Sequence, residues 1–264
     1  MNETTITQRT DKVRKAAADQ GVDGILLGLP ENMYYFSGFR TMLHTRPTFV
    51  FVSADARVDP VLIAPTVDRR LIREGIWTDC LTEDVRFWGP DAAEDVYPDH
   101  VTALGELIRP GSRVGIDGLR FDWVSELGES LGVAFTPVSD AVDEIRKIKD
   151  EDEIARVRKA NELSFDILDT VVPELLSSAD SITEIELAAE IEHHARMRGA
   201  DGFGCPTLVS HGDKMLAPHS PPLDKEIGRD IPTRVVLANT LEGYTADVIR
   251  SYVIGGVPQE IQMR

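Results

Sequence analysis

Three polar residues toward the end of the chain, His219, Asp247 and Arg250, have side chains that could take part in chemistry. Histidine exchanges a proton near physiological pH, which suits general acid or base catalysis. Asp247 could ligate a metal ion or serve as a polar group of a binding site, and Arg250 could orient Asp247 or bind a substrate carboxylate. Each residue also has a purely structural interpretation, as a loop histidine, a strand aspartate paired with arginine or solvent, and a packed or ion-paired arginine.

The segments that must position these residues have the residue pattern of β-strands. The predicted strands cover residues 207–210, 233–239 and 244–254. Between the last two strands, Glu242-Gly243 is typical of a hairpin turn. Alternation along the last strand places Asp247 on one face and Arg250 on the other.

The first part of the chain alternates short apolar runs with helical patterns, which indicates an α/β layered domain. The predicted helices cover residues 5–20, 68–75, 99–108 and 121–131. The predicted strands cover residues 24–28, 48–53, 60–65, 79–81, 112–117 and 133–137. We therefore predict one domain over residues 1–140 and a second over residues 141–264.

The second domain begins with a change in composition. Residues 139–178 contain no glycine and many charged side chains, and their apolar residues recur at helical spacing, which predicts one long helix with a solvated charged face. Thr183 and Glu186 have the spacing of a capping box and predict the start of another helix. Within that helix the adjacent His193 and His194 point about 100° apart, so we expect surface histidines rather than metal ligands.

Composition narrows the classes of partner. The 264 residues carry a formal net charge of −17, which makes nucleic acids and anionic membrane surfaces poor partners. The two cysteines have no redox or metal-site spacing, and no segment has the pattern of a signal peptide or a membrane span, so a cytoplasmic location is expected. The sequence also lacks a phosphate-binding glycine loop, GxSxG and HExxH.

Four segments together resemble the creatinase/aminopeptidase P/prolidase family. They are NMYYFSGF at 32–39, EIRKIKDEDEI at 144–154, PHSP at 218–221 and GYTADVIRS at 243–251. The resemblance implies an α/β N-terminal creatinase-type domain followed by a partial α+β pita-bread domain, and it implies a homo-oligomer, since many members dimerise. It implies further that His219 lies near the substrate, where creatinase-like enzymes use a histidine as general acid or base.

The resemblance also implies a metal site. In the family's metallopeptidases, five ligands (two Asp, one His and two Glu) hold two divalent ions such as Mn²⁺, Co²⁺ or Zn²⁺. Asp247 matches the second Asp of that set. The first Asp is expected eleven residues earlier, where this chain has Val236, although a gapped alignment places Asn239 there. The remaining ligands normally follow well after the Asp247 strand, and because the sequence ends at Arg264 we expect them to be absent.

Three functions are compatible with this pattern. The first is an Xaa-Pro peptidase-type C–N bond hydrolase acting on a small peptide, incomplete or degenerate as it stands. The second is a metal-independent, creatinase-like hydrolase of a small amidino or cyclic-amidine compound, which would need no cofactor. The third is a non-catalytic dimerisation or binding module.

An unpaired strand edge near residues 233–254 predicts self-association.

Overall fold

The computed structural model describes residues 3–41, 45–76, 80–91, 93–178 and 181–256. The chain forms two compact units, Met1–Ile148 and Lys149–Arg264. Among the described residues, no helix combines the length and apolar character needed to cross a lipid bilayer.

The first unit is a seven-stranded mixed sheet with helices packed against it. Its helices are α1 (Glu3–Gln20), α2 (Pro30–Ser37), α3 (Arg69–Arg73), α4 (His100–Gly105), α5 (Phe121–Leu131) and α6 (Ser139–Lys147). Its strands are β1 (Gly24–Leu27), β2 (Phe49–Ser53), β3 (Val61–Pro65), β4 (Asp84–Trp88), β5 (Val96–Tyr97), β6 (Arg113–Asp117) and β7 (Ala134–Pro137). The strand order is β5-β4-β3-β2-β1-β6-β7.

The central strands of this sheet are continuous apolar runs because both of their faces are buried. Every residue of β1 and β3 is buried, and two apolar clusters cover the sheet. One cluster includes Leu27 and Val50, and the other includes Leu26 and Phe51. Period-two alternation thus assigns neighbouring residues of one strand to different clusters.

The segment 32–39 forms helix α2 and the turn that follows it. Its Asn32 is fully buried, donates to Asp117 Oδ2 at 2.5 Å and accepts from Arg146 Nη1 at 2.8 Å. Burial raises the pKa of the Asp117 carboxyl above its ordinary value, against the effect of the bonds from Asn32 and Ser139. Gly38 ends the helix with a φ of 78°, which favours glycine. The motif therefore has a structural role within the first unit.

The second unit packs three helices against one face of a small antiparallel sheet. Its helices are α7 (Glu151–Asp166), which continues through a π-helical segment (Ile167–Val171), α8 (Val172–Ser178) and α9 (Glu184–Met197). Its strands are β8 (Gly202–Phe203), β9 (Leu208–His211), β10 (Pro232–Leu241) and β11 (Tyr244–Val253). Strand β10 pairs with β11 on one side and with β8 and β9 on the other.

The prediction of one long helix over residues 139–178 is wrong. Helix α6 ends at Lys147 and α7 begins at Glu151. Asp150 caps α7, because its side chain accepts from Glu153 N at 2.9 Å while Glu153 Oε2 accepts from Asp150 N at 3.0 Å. The capping box at Thr183 and Glu186 is confirmed.

The strand predicted near residues 79–81 is not found at residues 80 and 81, and Asp79 lies outside the described residues. The strand of this region is β4, which begins at Asp84. The sequence pattern did not predict β4, because the strand begins with polar residues and only Phe87 of its five residues is fully buried.

Candidate active site

A cavity of about 540 Å³ lies on the face of the β9–β10–β11 sheet that the helices leave open. Its apolar lining residues are Pro206, Leu208, Pro218, Pro221, Pro222, Val236 and Ile249. Its polar lining residues are Cys205, His219, Arg234 and Asp247. Two of the three site residues predicted from sequence, His219 and Asp247, therefore line one cavity.

The β10–β11 hairpin directs Asp247 into this cavity. Asp247 pairs with Ala238 in the antiparallel ladder, and its neighbours Ala246 and Val248 are buried on the opposite face. Since side chains alternate along a strand, Asp247 lies on the open face. The turn is tight because Glu242 and Gly243 both have positive φ, at 50° and 82°.

Arg250 lies on the other face of the hairpin. Its Nε is 3.3 Å from Asp169 Oδ1, and its guanidinium lies 5.1 Å from the centre of the Phe165 ring. Arg250 therefore does not line the cavity, and the ion pair gives it a structural role. The substrate-binding role predicted for it does not fit this geometry, because residues 247 and 250 have opposite parity along the strand.

Asn239 is also on the face away from the cavity. It is fully buried, hydrogen-bonds to Ser164 Oγ and donates to Ala160 O at 3.3 Å. The gapped alignment that would make Asn239 a ligand beside Asp247 is therefore wrong. The ungapped position is Val236, which is buried on the Asp247 face.

His219 lies at the tip of a turn that the sequence Pro-His-Ser favours. Ser220 N donates to Ala217 O at 3.1 Å, so Pro218 takes the second turn position, where its fixed φ is suited. Arg234 of β10 holds this turn through bonds from Nη1 to Met215 O at 3.1 Å and from Nη2 to Pro218 O at 3.2 Å. Its Nε is buried and has no hydrogen-bond partner among the described residues.

The loop between His211 and Leu223, which carries His219, is fixed at both ends by Glu184, the fully buried first residue of α9. Its Oε1 accepts from His211 N at 2.8 Å. Its Oε2 accepts from Leu223 N at 2.9 Å and from Lys214 Nζ at 2.5 Å. One carboxylate thus ties both ends of the segment that carries His219 to the start of a helix, where negative charge is stabilised.

His211, at the end of β9, is buried beneath this loop. Its Nε2 accepts from Gly228 N at 3.0 Å, so Nδ1 carries the proton and donates to Thr233 Oγ1 at 2.9 Å. Burial lowers the pKa of His211, the positive charge of Lys225 adds to this effect, and Glu184 opposes it. The histidine is therefore a neutral structural link.

Sequence reasoning missed Arg234, Glu184 and His211. A signal existed for Arg234, because a charged residue interrupts an apolar strand. Glu184 stood next to the capping Thr183 and read as an ordinary first-turn acid. Nothing local in the sequence marks His211, because its contacts come from residues distant in sequence.

Cys205 adds a thiol to the cavity close to the carboxylate. Burial raises the pKa of the Cys205 thiol, and the negative charge of Asp247 raises it further. The thiol is therefore protonated at neutral pH and is a poor nucleophile.

The residues of the cavity do not suit a two-metal centre. Such centres hold hard or borderline ions with several carboxylates, and among the described residues Asp247 is the single carboxylate in the lining. Val236 and Ala238, its neighbours across the hairpin, offer no donor atom. Across the described ranges, no cluster of three or more His, Cys, Asp or Glu side chains is arranged to hold a metal ion.

Two family models match the chain. The creatinase/prolidase N-terminal domain matches residues 9–148, and metallopeptidase family M24, whose peptidases generally depend on divalent metals, matches residues 155–264. The chain belongs to the creatinase/aminopeptidase P/prolidase family. The fold prediction is confirmed as well: a creatinase-type α/β domain precedes part of a pita-bread domain.

Relatives within the family include peptidases of known structure. The chain is 25% identical over 260 residues to an Xaa-Pro dipeptidase of Pyrococcus furiosus. The aligned region spans 97% of this chain and 67% of that relative. A prolidase from Thermococcus sibiricus superimposes with a TM-score of 0.81 at 22% identity, over 100% of this chain and 68% of that one. The prolidase from Pyrococcus horikoshii superimposes with a TM-score of 0.79 at 20% identity, over 97% of this chain and 67% of that one.

Proposed function

We propose that this family member is a C–N bond hydrolase that acts on a small peptide or amide bound in the β9–β10–β11 cavity. The observation that carries the proposal is that His219 and Asp247, from separate segments, line one apolar cavity. A largely apolar cleft with a few convergent polar groups is the usual form of a small-molecule site.

Each polar residue has a defined role in this proposal. His219 accepts a proton from the attacking water and delivers it to the leaving nitrogen, because an imidazole can serve both as proton acceptor and as proton donor. Asp247 binds the cationic end of the substrate, because it is the one carboxylate that the described part of the chain contributes to the lining. Arg234 is a positioning residue, since it donates to Met215 O before the turn that presents His219 and to Pro218 O within that turn.

The proposed reaction does not depend on a two-metal centre. Val236 occupies the position that the family resemblance assigns to the first Asp, and Asn239 is buried on the far face. We therefore place the chain nearer to creatinase-like acid–base hydrolysis than to metal-hydroxide attack. Relatives named as an Xaa-Pro dipeptidase and prolidases support a substrate of dipeptide size.

The test is turnover by the protein of two substrate sets, Xaa-Pro dipeptides and small amidino compounds. We expect His219→Asn to lower kcat by about 10²-fold or more, the usual contribution of a general acid or base. His193→Gln is the matched control, because His193 is exposed on α9. Turnover that His219→Asn leaves unchanged would contradict the proposal.

A non-catalytic binding module is the second candidate, favoured because the described residues supply the lining with a single carboxylate. It predicts no hydrolysis of either set, yet saturable binding of a cationic peptide that Asp247→Asn weakens. Hydrolysis lost in His219→Asn but kept in His193→Gln would exclude this second candidate.

A further inference from the structure

Three apolar side chains stand next to one another on the sheet that forms the floor of the proposed active site. Val236 of β10 pairs with Leu208 of β9 on one side and with Ile249 of β11 on the other, and all three line the cavity. Directly paired residues of neighbouring strands lie on the same face of a sheet, about 5 Å apart. Leu208, Val236 and Ile249 therefore form one continuous strip across the sheet, the apolar row.

Polar residues stand on both sides of the apolar row. Two residues earlier along β10, Arg234 pairs with Ser210 and with Ser251. Two residues later, Ala238 pairs with Asp247. Because side chains alternate along a strand, these residues share the face of the apolar row. The row is therefore a separate apolar region of the cavity, with the carboxylate of Asp247 beside it.

The valine at position 236 is what makes the row apolar. The family resemblance places an aspartate there, and its carboxylate would lie at the centre of the row. With valine, the three side chains offer no hydrogen-bonding atom, so a polar substrate group that lost its water there would have no partner. Ile249 is 54% exposed, which leaves apolar surface for a ligand to cover. The row therefore favours an aliphatic group.

The position of Asp247 defines which part of a substrate meets the row. Asp247 and Ile249 lie two residues apart on β11, which is about 7 Å along the strand. The ammonium group and the side chain of an amino-terminal residue leave the same Cα, so one residue can contact both Asp247 and the row. An acidic side chain at that place would be repelled by Asp247.

We propose that the apolar row determines specificity, and that it selects substrates whose amino-terminal residue carries an aliphatic side chain. The inference rests on the proposed function, in which Asp247 binds the cationic end of the substrate. Leu208, Val236 and Ile249 contact the side chain of that residue and take no part in the proton transfers assigned to His219.

The experiment is calorimetric titration of His219→Asn, which lacks the proposed base and keeps the row, with Gly-Pro, Leu-Pro, Glu-Pro and Lys-Pro. Each CH₂ group that is buried tightens binding about fourfold, so we expect Leu-Pro to bind at least about tenfold more tightly than Gly-Pro. Glu-Pro should bind more weakly than Leu-Pro, because Asp247 repels its side chain. Equal binding of Gly-Pro and Leu-Pro, or tightest binding of Glu-Pro, would overturn the proposal.

Ile249→Asp, made in the same His219→Asn protein, tests whether the row itself contacts the side chain. Because Ile249 is half exposed, the substitution spares the buried core. The new carboxylate should attract the lysine side chain, and we expect the affinity for Leu-Pro relative to Lys-Pro to fall at least about tenfold. A merely structural effect would weaken both dipeptides alike and leave this ratio unchanged.

Ile231→Asp is the matched control, because Ile231 is 43% exposed and lies outside the cavity lining. It should keep the ratio measured without it, and an equal ratio in the two aspartate variants would overturn the proposal. Since binding is measured without turnover, the row and the hydrolase fail separately. Hydrolysis by the wild type with no preference for Leu-Pro binding would overturn the row alone. A Leu-Pro preference without hydrolysis by the wild type would support the row and refute only the hydrolase.

Discussion

Val236 and Asp247 are diagonal neighbours on the open face of the β10–β11 hairpin, because Val236 pairs with Ile249 and Asp247 pairs with Ala238. Diagonal neighbours on one face of an antiparallel pair are about 7–8 Å apart and lie within reach of longer side chains. Two carboxylates at these positions could share a cation, whereas a valine and an aspartate cannot.

The first prediction is a gain of metal binding in Val236→Asp. The new carboxylate repels Asp247, and a divalent ion relieves that repulsion. We expect the apparent affinity for Mn²⁺ in calorimetry to rise about tenfold or more over the wild type, which corresponds to about 1.4 kcal/mol. Val236→Asn introduces a side chain of nearly the same shape as aspartate but without its charge, so its Mn²⁺ affinity should resemble that of the wild type. Equal Mn²⁺ affinity in Val236→Asp and Val236→Asn would contradict the diagonal geometry.

The second prediction concerns the thiol of Cys205. Besides burial, the charge of Asp247 raises the pKa of this thiol, so Asp247→Asn should lower that pKa. The thiolate fraction then rises at a given pH, and alkylation by iodoacetamide should become severalfold faster. Peptide mass spectrometry follows Cys205 and, as an internal reference in the first unit, Cys80. Asp224→Asn is the control, and an unchanged rate in Asp247→Asn would place the carboxylate too far from the thiol.

The third prediction concerns the buried Glu184–Lys214 ion pair. Glu184→Gln leaves the Lys214 ammonium, which is 12% exposed, without its counter-charge. Removing one partner of a buried pair costs about 3–5 kcal/mol in the free energy of unfolding. Denaturant unfolding measures the change, with the exposed Glu190→Gln on the same helix expected within about 0.5 kcal/mol of the wild type. A loss in Glu184→Gln no larger than in Glu190→Gln would show that Glu184 does not anchor the loop.

The fourth prediction is a loss of stability in mild acid. Burial lowers the pKa of His211 and of His100 below the ordinary value of 6.5, so below that pH the unfolded chain binds more protons than the folded one. The free energy of unfolding therefore falls as the pH falls through 6.5 toward the folded pKa, by at most about 1.4 kcal/mol per pH unit for each histidine.

Urea unfolding at about pH 7.5 and about pH 5.5 measures this loss. His211→Gln should be less stable than the wild type at the higher pH, because its bonds to Gly228 and Thr233 change, and it should lose less on acidification. The exposed His193→Gln should keep the wild-type dependence. A wild-type free energy that does not change between the two conditions would refute the buried, neutral state of His211.

The hairpin was predictable from sequence because its determinants are local. Alternation in the last strand put Asp247 and Arg250 on opposite faces, and the Glu242-Gly243 pair marked the turn. The break before α7 was missed because its capping residues, Asp150 and Glu153, are embedded in a run of charged residues that continues a helical pattern.

The cavity itself was only partly predictable. The position of His219 depends on Arg234 of β10 and on Glu184 of α9, and those contacts join segments that are distant in sequence. Likewise, the far-face placement of Asn239 requires the register of β10, which one residue of slip would have reversed.

The most direct test of acid–base hydrolysis at His219 is the metal dependence of kcat/KM in the protein. Dialysis against a chelator, followed by assay with and without added Mn²⁺, Co²⁺ or Zn²⁺, separates acid–base hydrolysis from metal-hydroxide attack. We predict that turnover survives chelation and is lost in His219→Asn. Turnover that disappears on chelation and returns with added metal would contradict it, and would mean that ligands other than those around Val236 and Asp247 complete the centre.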